Sequence, residues 1–224
     1  MTPQLEPASK SISVGYDPEF EPLAFKHNGD AKGLIIERTS FVLNRAGLTF
    51  SFHPVAMDNM IPRLNSGRVQ LITGIAANLH RKTQLQLSEP LALTGGAWFR
   101  ALHAKIPTDR QEAEKNPTPG SVVTPETGPL VNFIAKQFPA VHLITCADYP
   151  SALECVLQGN VEAAALNLQV GTRLCQNRYP GLFELPSRPF LTIPLTLASR
   201  KDDKSLLIKR LNSHIPGEWS AQAG

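Results

Sequence analysis

An arginine lies one turn beyond a run of small residues at the end of an apolar strand, in the stretch Ile72-Thr-Gly-Ile-Ala-Ala-Asn-Leu-His-Arg81. A strand that ends in Gly74 and Ala76 brings backbone N–H groups close to whatever binds above it, because no large side chain stands in the way. Arg81 adds a planar, permanently charged guanidinium whose donors match a carboxylate. The pattern predicts a site for a carboxylate.

Length and composition limit the classes of ligand that could carry this carboxylate. The chain has 224 residues, 42% of them hydrophobic, which suffices for one large domain or two small lobes with a proper core. A net charge of +3, from 22 Lys and Arg against 19 Asp and Glu, is small and dispersed, and no basic run or basic-aromatic stripe predicts a nucleic-acid partner. No apolar run is long enough to predict a membrane span.

The start of the chain lacks the basic residues and apolar stretch of a signal peptide. Taken literally, this predicts a cytoplasmic protein. A mature protein that has lost its leader would begin in the same way, and both interpretations stay open.

Cysteine and histidine spacing predicts no metal site and no cofactor. The six histidines show no spacing such as HExxH, and no GxGxxG, P-loop or GxSxG motif is present. Cys146, Cys155 and Cys175 form no CxxC motif, and we expect buried thiols. A Cys155–Cys175 disulfide is the alternative.

Periodicity predicts two similar α/β lobes. In the first half, strands are predicted at 11–15, 49–55 and 69–73, with a proline-rich loop at 16–22, a helix between Gly33 and Gly47, and a short helix capped by Asp58 that ends before Gly67. The unit recurs as a strand at 141–145, a helix from Asp148 to Leu157, Gly159 and a strand at 161–166. Strands at 95–99 and 191–198 would connect the lobes, and ligands of open α/β sheets lie at the carboxyl ends of strands.

The motifs at 14–25, 33–37, 60–72, 81–90 and 193–203 resemble the type 2 periplasmic solute-binding proteins, family 3, which includes the polar amino-acid binding proteins of ABC transporters. The resemblance implies a two-lobed α/β fold with parallel-rich sheets joined by a two-strand hinge. Lobe 1 would comprise residues 1–99 and 193–224, and lobe 2 residues 100–192. The resemblance also implies a periplasmic monomer that closes at its hinge around a small ligand and delivers this ligand to a transporter permease.

The resemblance implies roles for particular residues. Arg81 would pair with the ligand's α-carboxylate, supported by backbone N–H groups around Thr73, Gly74 and Ala76. Asp17 and Phe20 would line the other end of the ligand, with Phe20 as a stacking face. In the second lobe, Thr127 and Gly128 precede a helix whose N-terminal amides would help to hold an anion.

Two departures from the family pattern bear on the ligand. Where amino-acid binders usually carry an Asp that pairs with the ligand's ammonium, this chain has Asn167. The aromatic residue often found before the second helix is Met57, and the hydroxyl often found near the arginine is Ala76. These substitutions predict a more apolar pocket that carries less negative charge.

The resemblance therefore implies binding of a small carboxylate-bearing solute, most simply an amino acid or derivative, and no enzymatic activity. Two alternatives stay open. The fold also resembles cyclohexadienyl dehydratase, for which Glu19 or Glu126 would supply a proton. The same fold also serves as a ligand-sensing module of larger signalling proteins.

Overall fold

A computed structural model describes residues 11–102, 118–126 and 128–220. The chain divides into two compact units. Unit 1 comprises Met1–Leu93 and Pro194–Gly224, and unit 2 comprises Thr94–Ile193. Strands β8 (Ala92–Ala101) and β13 (Leu191–Arg200) each run from one unit into the other, so the strands predicted at 95–99 and 191–198 are present.

Unit 1 is built on a sheet whose central strands are parallel. Its strands are β1 (Ile12–Tyr16), β2 (Glu19–Phe20), β3 (Ala24–His27), β4 (Asp30–Lys32), β5 (Phe50–Pro54), β6 (Leu71–Ala76) and β7 (Leu85–Leu87). β1 pairs in parallel with β5 and β6, and β13 pairs antiparallel with β6 and β7. All six residues of β6 are buried, as expected for a strand covered on both faces.

The helices of unit 1 are α1 (Leu34–Arg45), α2 (Met60–Asn65), α3 (Leu79–Gln84) and α7 (Leu207–Asn212), with 3-10 turns at Met57–Asn59 and Gly217–Ser220. The apolar spacing predicted for α1 is confirmed, since its buried residues recur every three or four positions: Ile35, Ile36, Thr39, Val42 and Leu43.

Unit 2 repeats the parallel arrangement. Its helices are α4 (Leu130–Gln137), α5 (Tyr149–Leu157) and α6 (Leu168–Arg178), and its further strands are β9 (Ser121–Pro125), β10 (His142–Cys146), β11 (Ala163–Asn167) and β12 (Phe183–Glu184). β9 pairs in parallel with β10 and β11, whereas β8 pairs antiparallel with β11 and β12. The predicted cap of α5 is confirmed, because the Asp148 carboxylate accepts the Ser151 N–H at 2.8 Å.

Two predictions for unit 1 are wrong in detail. The segment predicted as a loop at 16–22 contains β2, which forms a small antiparallel sheet with β3 and β4. Asp58 does not cap α2, because a 3-10 turn precedes that helix and the Asp58 carboxylate instead accepts from the Asn59 side-chain amide at 2.9 Å.

All three cysteines carry free thiols, so the alternative of a Cys155–Cys175 disulfide is wrong. Cys175 is part of the apolar core of unit 2, and Cys146 and Cys155 pack against that core. Burial raises the pKa of Cys175 to about 12, so this side chain packs as a small neutral hydrophobic residue. Within the described residues, no helix combines the length and apolarity needed to span a bilayer.

Gly171 of α6 packs against Phe99 of β8, and a substitution at Gly171 tests this contact. A Cβ at this position would lie 2.5 Å and 2.6 Å from Cζ and Cε2 of Phe99, which is fully buried. In a helix, alanine is normally more favourable than glycine by about 1 kcal/mol. We nevertheless expect Gly171→Ala to lower the free energy of unfolding by roughly 1–3 kcal/mol, because the buried Phe99 ring cannot move aside. Gly217→Ala is the control, since a Cβ there meets no atom within 4 Å. Chemical denaturation measures both, and a gain in stability for Gly171→Ala would contradict the packing.

Candidate functional site

The carboxyl end of β6 is shaped by a bulge at Gly74. Thr196 pairs with Ile75 and Leu197 with Thr73, so Gly74 is the extra residue opposite β13. Its φ of +75° lies in the left-handed region, which glycine adopts without strain. The Thr196 hydroxyl donates to the Ile75 carbonyl at 3.1 Å. The bulge turns the last residues of β6 relative to the rest of the strand.

Arg81 is held against this strand end by two hydrogen bonds. Its backbone N–H donates to the side-chain oxygen of Asn78, the N-cap of α3, at 2.8 Å. Its Nη1 donates to the Ala76 carbonyl at 3.0 Å. A guanidinium has five N–H donors, and the Ala76 carbonyl occupies one of them. The rest of the fork is oriented by this contact and keeps its capacity to bind.

The Arg81 charge has no counter-ion in the part of the chain that the structure describes. The side chain is half-buried, and burial alone lowers the pKa of its guanidinium, with no carboxylate opposing that effect. A desolvated cation without a partner is unfavourable. An anion beside the guanidinium would offset this cost.

Asp17 is a second charge that is withdrawn from water in unit 1. It follows β1 directly and is half-buried. Burial is the main cause that raises the pKa of its carboxyl, and repulsion by Glu19 and Asp58 adds to it, whereas the Glu19 N–H, donated at 3.1 Å, lowers it. No cation acts on this carboxylate among the described groups.

Asp17 and Arg81 belong to the same edge of the unit 1 sheet. Asp17 follows β1, Arg81 lies in the first helix after β6, and these two strands are parallel neighbours. The carboxyl ends of parallel neighbours meet at one edge. This edge thus carries one cation and one anion of the protein, each without a partner of opposite charge among the described residues.

The other residues predicted for unit 1 have different environments. The Thr73 hydroxyl is buried and shares a hydrogen bond of 2.7 Å with the Thr39 hydroxyl of α1, so its side chain serves the core. Met57 is half-buried and packs against the core residues around Val55 and Met60. Phe20 is half-buried on β2, and no aromatic stacking partner is found for it among the described residues.

In unit 2, Asn167 ends β11 and caps α6. Its Oδ1 accepts the N–H groups of Gln169 and Val170 at 3.1 Å and 3.2 Å. Its Nδ2 donates to the Thr94 hydroxyl at 2.7 Å, and that hydroxyl in turn donates to the Gln169 side-chain oxygen. Asn167 and Thr94 are 6% and 5% exposed. Both the oxygen and the nitrogen of the Asn167 side-chain amide are therefore hydrogen-bonded within the protein.

The start of α4 is the other predicted element of unit 2. Gly128 is exposed with φ +111°, and Pro129 is the N-cap of α4, which has no side-chain cap. Thr127 lies outside the described residues, so its predicted role stays a prediction. Among the described residues, no group of three or more His, Cys, Asp or Glu side chains could hold a metal ion.

Sequence reasoning missed three polar residues that are hydrogen-bonded to predicted site residues or to their partners: Asn78 in unit 1, and Thr94 and Gln169 in unit 2. Asn78 has a visible signal, because an Asn three residues before the arginine follows the N-cap pattern. Thr94 and Gln169 have none, since Thr94 lies 73 residues from Asn167 in the chain and only the fold brings them together.

Comparison with known proteins identifies the family. The model of the bacterial extracellular solute-binding proteins, family 3, matches residues 12–215. The chain belongs to this family. No curated protein sequence matches it.

Solved structures share the fold at low identity. A histidine kinase sensor domain with similarity to periplasmic binding proteins is 20% identical, with 92% of this chain and 89% of that chain covered and a TM-score of 0.75. The periplasmic VFT2 domain of Bordetella pertussis BvgS is 17% identical over 94% and 90%, with a TM-score of 0.79. An ancestral arginine-binding protein bound to glutamine is 21% identical over 92% and 90%, with a TM-score of 0.71. The two-lobed fold of periplasmic binding proteins is thus confirmed, and a role in ligand binding is supported.

Asp17 yields a pH-dependent prediction. A carboxyl whose pKa is raised by folding favours the native state while it is protonated, and that contribution is lost as the pH rises through its folded-state pKa. We expect Asp17→Asn, which can still accept the Glu19 N–H, to raise the melting temperature near pH 7. The gain should vanish below about pH 4, where the wild-type carboxyl is also neutral.

The control is Asp30→Asn, at an exposed aspartate of the β3–β4 hairpin. Melting curves of both variants at several pH values make the comparison. An equal gain for Asp17→Asn at low and neutral pH would show that charge is not the cause.

Proposed function

We propose that this protein binds a small carboxylate-bearing solute, an amino acid or a derivative, with Arg81 as the anchor of the carboxylate. The observation that carries the proposal is the half-buried guanidinium, hydrogen-bonded to the Ala76 carbonyl at 3.0 Å and without a counter-ion among the described residues. A bidentate carboxylate would supply the missing charge and use donors that the protein has already oriented.

The chemistry of the strand end supports this proposal. The N-cap at Asn78 fixes where α3 starts, and the hydrogen bond to the Ala76 carbonyl fixes where the Arg81 guanidinium lies. Pre-ordering of this kind reduces the entropy cost of binding, because Arg81 does not have to be immobilised by the ligand.

We propose transport as the biological context, with the protein in the periplasm as a monomer that delivers its ligand to an ABC transporter permease. The family supports a binding role, and the motif resemblance to amino-acid binders extends along the chain. Sensor domains share the fold, so a sensing module is the alternative context for the same binding chemistry. Closure of the two lobes around the ligand stays a prediction.

We propose binding without conversion. Glu19 and Glu126, the two acids considered for a dehydratase, are both exposed. An exposed carboxylate lacks the water-excluding surroundings in which enzymes place a catalytic acid. An absorbance assay with prephenate or arogenate tests this directly, and turnover of either would contradict the proposal.

Arg81→Ala tests the anchor. A ligand carboxylate left without its charged partner costs roughly 3–5 kcal/mol, so we expect affinity to fall by about 100-fold or more. The measurement is a thermal-shift panel of L-amino acids and simple mono- and dicarboxylates, followed by calorimetry on the ligands that respond. A ligand at a thousand times its Kd adds about 4 kcal/mol of stability, a shift that melting curves resolve readily.

Two variants make the result specific. Arg81→Lys keeps the charge and loses the planar fork, so we expect an intermediate loss. Arg63→Ala makes the same truncation at an exposed arginine of α2 and should bind like wild type. Wild-type affinity of folded Arg81→Ala would reject the anchor.

A further inference from the structure

Asn78 caps a helix that is too short to be stable by itself. α3 has six residues, whereas isolated helices shorter than about 12 residues are marginal in water. The first turn of α3 therefore depends on contacts at its end. The Asn78 side-chain oxygen accepts the Arg81 N–H at 2.8 Å, and the Asn78 carbonyl accepts the Lys82 N–H at 3.0 Å. Asn78 thus holds the first turn with both its side chain and its backbone.

The backbone of Arg81 is fixed on both sides. Its N–H is bonded to Asn78, and its carbonyl accepts the N–H of Leu85, the first residue of β7. The residue before the cap is anchored as well, because the Ala77 N–H donates to the Pro194 carbonyl of β13 at 2.9 Å. All of these residues belong to unit 1. The position of Arg81 relative to β7 and β13 is therefore set before any ligand arrives.

The cap at position 78 is neutral, although a charged cap would serve the helix equally well. Asp and Asn are about equally good N-caps, and a carboxylate also interacts favourably with the positive end of a helix. A carboxylate at position 78 would lie three residues before Arg81, a spacing at which opposite charges pair. The guanidinium would then have a counter-ion within the protein. With Asn78 in this place, no carboxylate acts on Arg81 among the described groups.

We propose that Asn78 is a positioning and specificity residue, which holds Arg81 in place through the cap and, because it is uncharged, keeps the guanidinium available to an anionic ligand. This inference rests on the proposed function, since it concerns the same carboxylate site. It adds the residue that controls the charge of that site. The ligand class that follows is one whose own carboxylate supplies the counter-charge of Arg81.

Substitutions at position 78 separate capping from charge. Asn78→Ala removes the capping oxygen, so we expect a lower melting temperature and an affinity about three- to tenfold weaker, because part of the free protein no longer holds Arg81 in its binding position. Asn78→Ser restores a neutral cap and should restore both properties.

Asn78→Asp is the decisive variant. It caps α3 as well as the wild-type residue does, so the melting temperature should not fall. Its carboxylate competes with the ligand for the guanidinium, so we expect affinity to fall by about tenfold or more. A loss of affinity without a loss of stability is a result that a merely structural role of Asn78 would not produce.

The matched control is Asp148→Ala in unit 2. Asp148 caps α5 with the same geometry, since its carboxylate accepts the N–H of Ser151, three residues further on, at 2.8 Å. Removal of this cap should lower the melting temperature about as much as Asn78→Ala does and leave the affinity unchanged.

The probes are the standard L-amino acids together with acetate, succinate and glutarate. Each probe that raises the melting temperature of the wild-type protein is then measured by calorimetry on the wild type, on the three variants at position 78, on Asp148→Ala and on Arg81→Ala.

The outcomes distinguish this inference from the proposed function. Wild-type affinity of Asn78→Asp or of Asn78→Ala, together with lost binding by Arg81→Ala, would overturn the inference and leave the carboxylate anchor standing. Binding that Arg81→Ala does not weaken, or no binding of any probe by the wild-type protein, would overturn the anchor and the inference together.

Discussion

The hydrogen bond from the Arg81 guanidinium to the Ala76 carbonyl is the contact on which the proposed binding chemistry depends. It joins a permanent charge to the end of a fully buried strand, where the charge is partly withdrawn from water. The bulge at Gly74 shifts the register of the strand end, and the Asn78 cap places the arginine in the first turn of α3. A charge so placed has a larger effect on a bound anion than the same charge in open water, because the local dielectric is lower.

The two units carry different polar groups at the ends of their parallel strands. Unit 1 holds charges of both signs at one sheet edge, with Asp17 after β1 and Arg81 after β6, and leaves both without counter-ions among the described residues. Unit 2, at the end of β11, uses a neutral amide whose oxygen and nitrogen are both taken by the protein.

Much of the fold could be predicted because it depends on local patterns. The alternating or continuous apolar strands, the glycines that end helices and the Asp148 cap are all encoded within a few residues of where they act. The miss at Asp58 has a local cause too. A 3-10 turn at Met57–Asn59 moves the start of α2 past the residue that looked like its cap, and propensity does not distinguish the two kinds of turn. The small sheet at β2–β4 was missed since its strands are only two to four residues long.

The sequence by itself determined the α/β class, the family resemblance and the arginine at the end of a small-residue strand. These depend on which residue types lie within a few positions of one another. Such local patterns are visible in the sequence without knowledge of the contacts between distant segments. Only the tertiary structure decided that the Thr73 side chain belongs to the core, that Asp17 is desolvated beside two other acids, and that Asn167 is bonded to Thr94. Each of these depends on which side chain faces which neighbour across strands and helices far apart in the chain, and burial and hydrogen-bond direction exist only once those elements have packed.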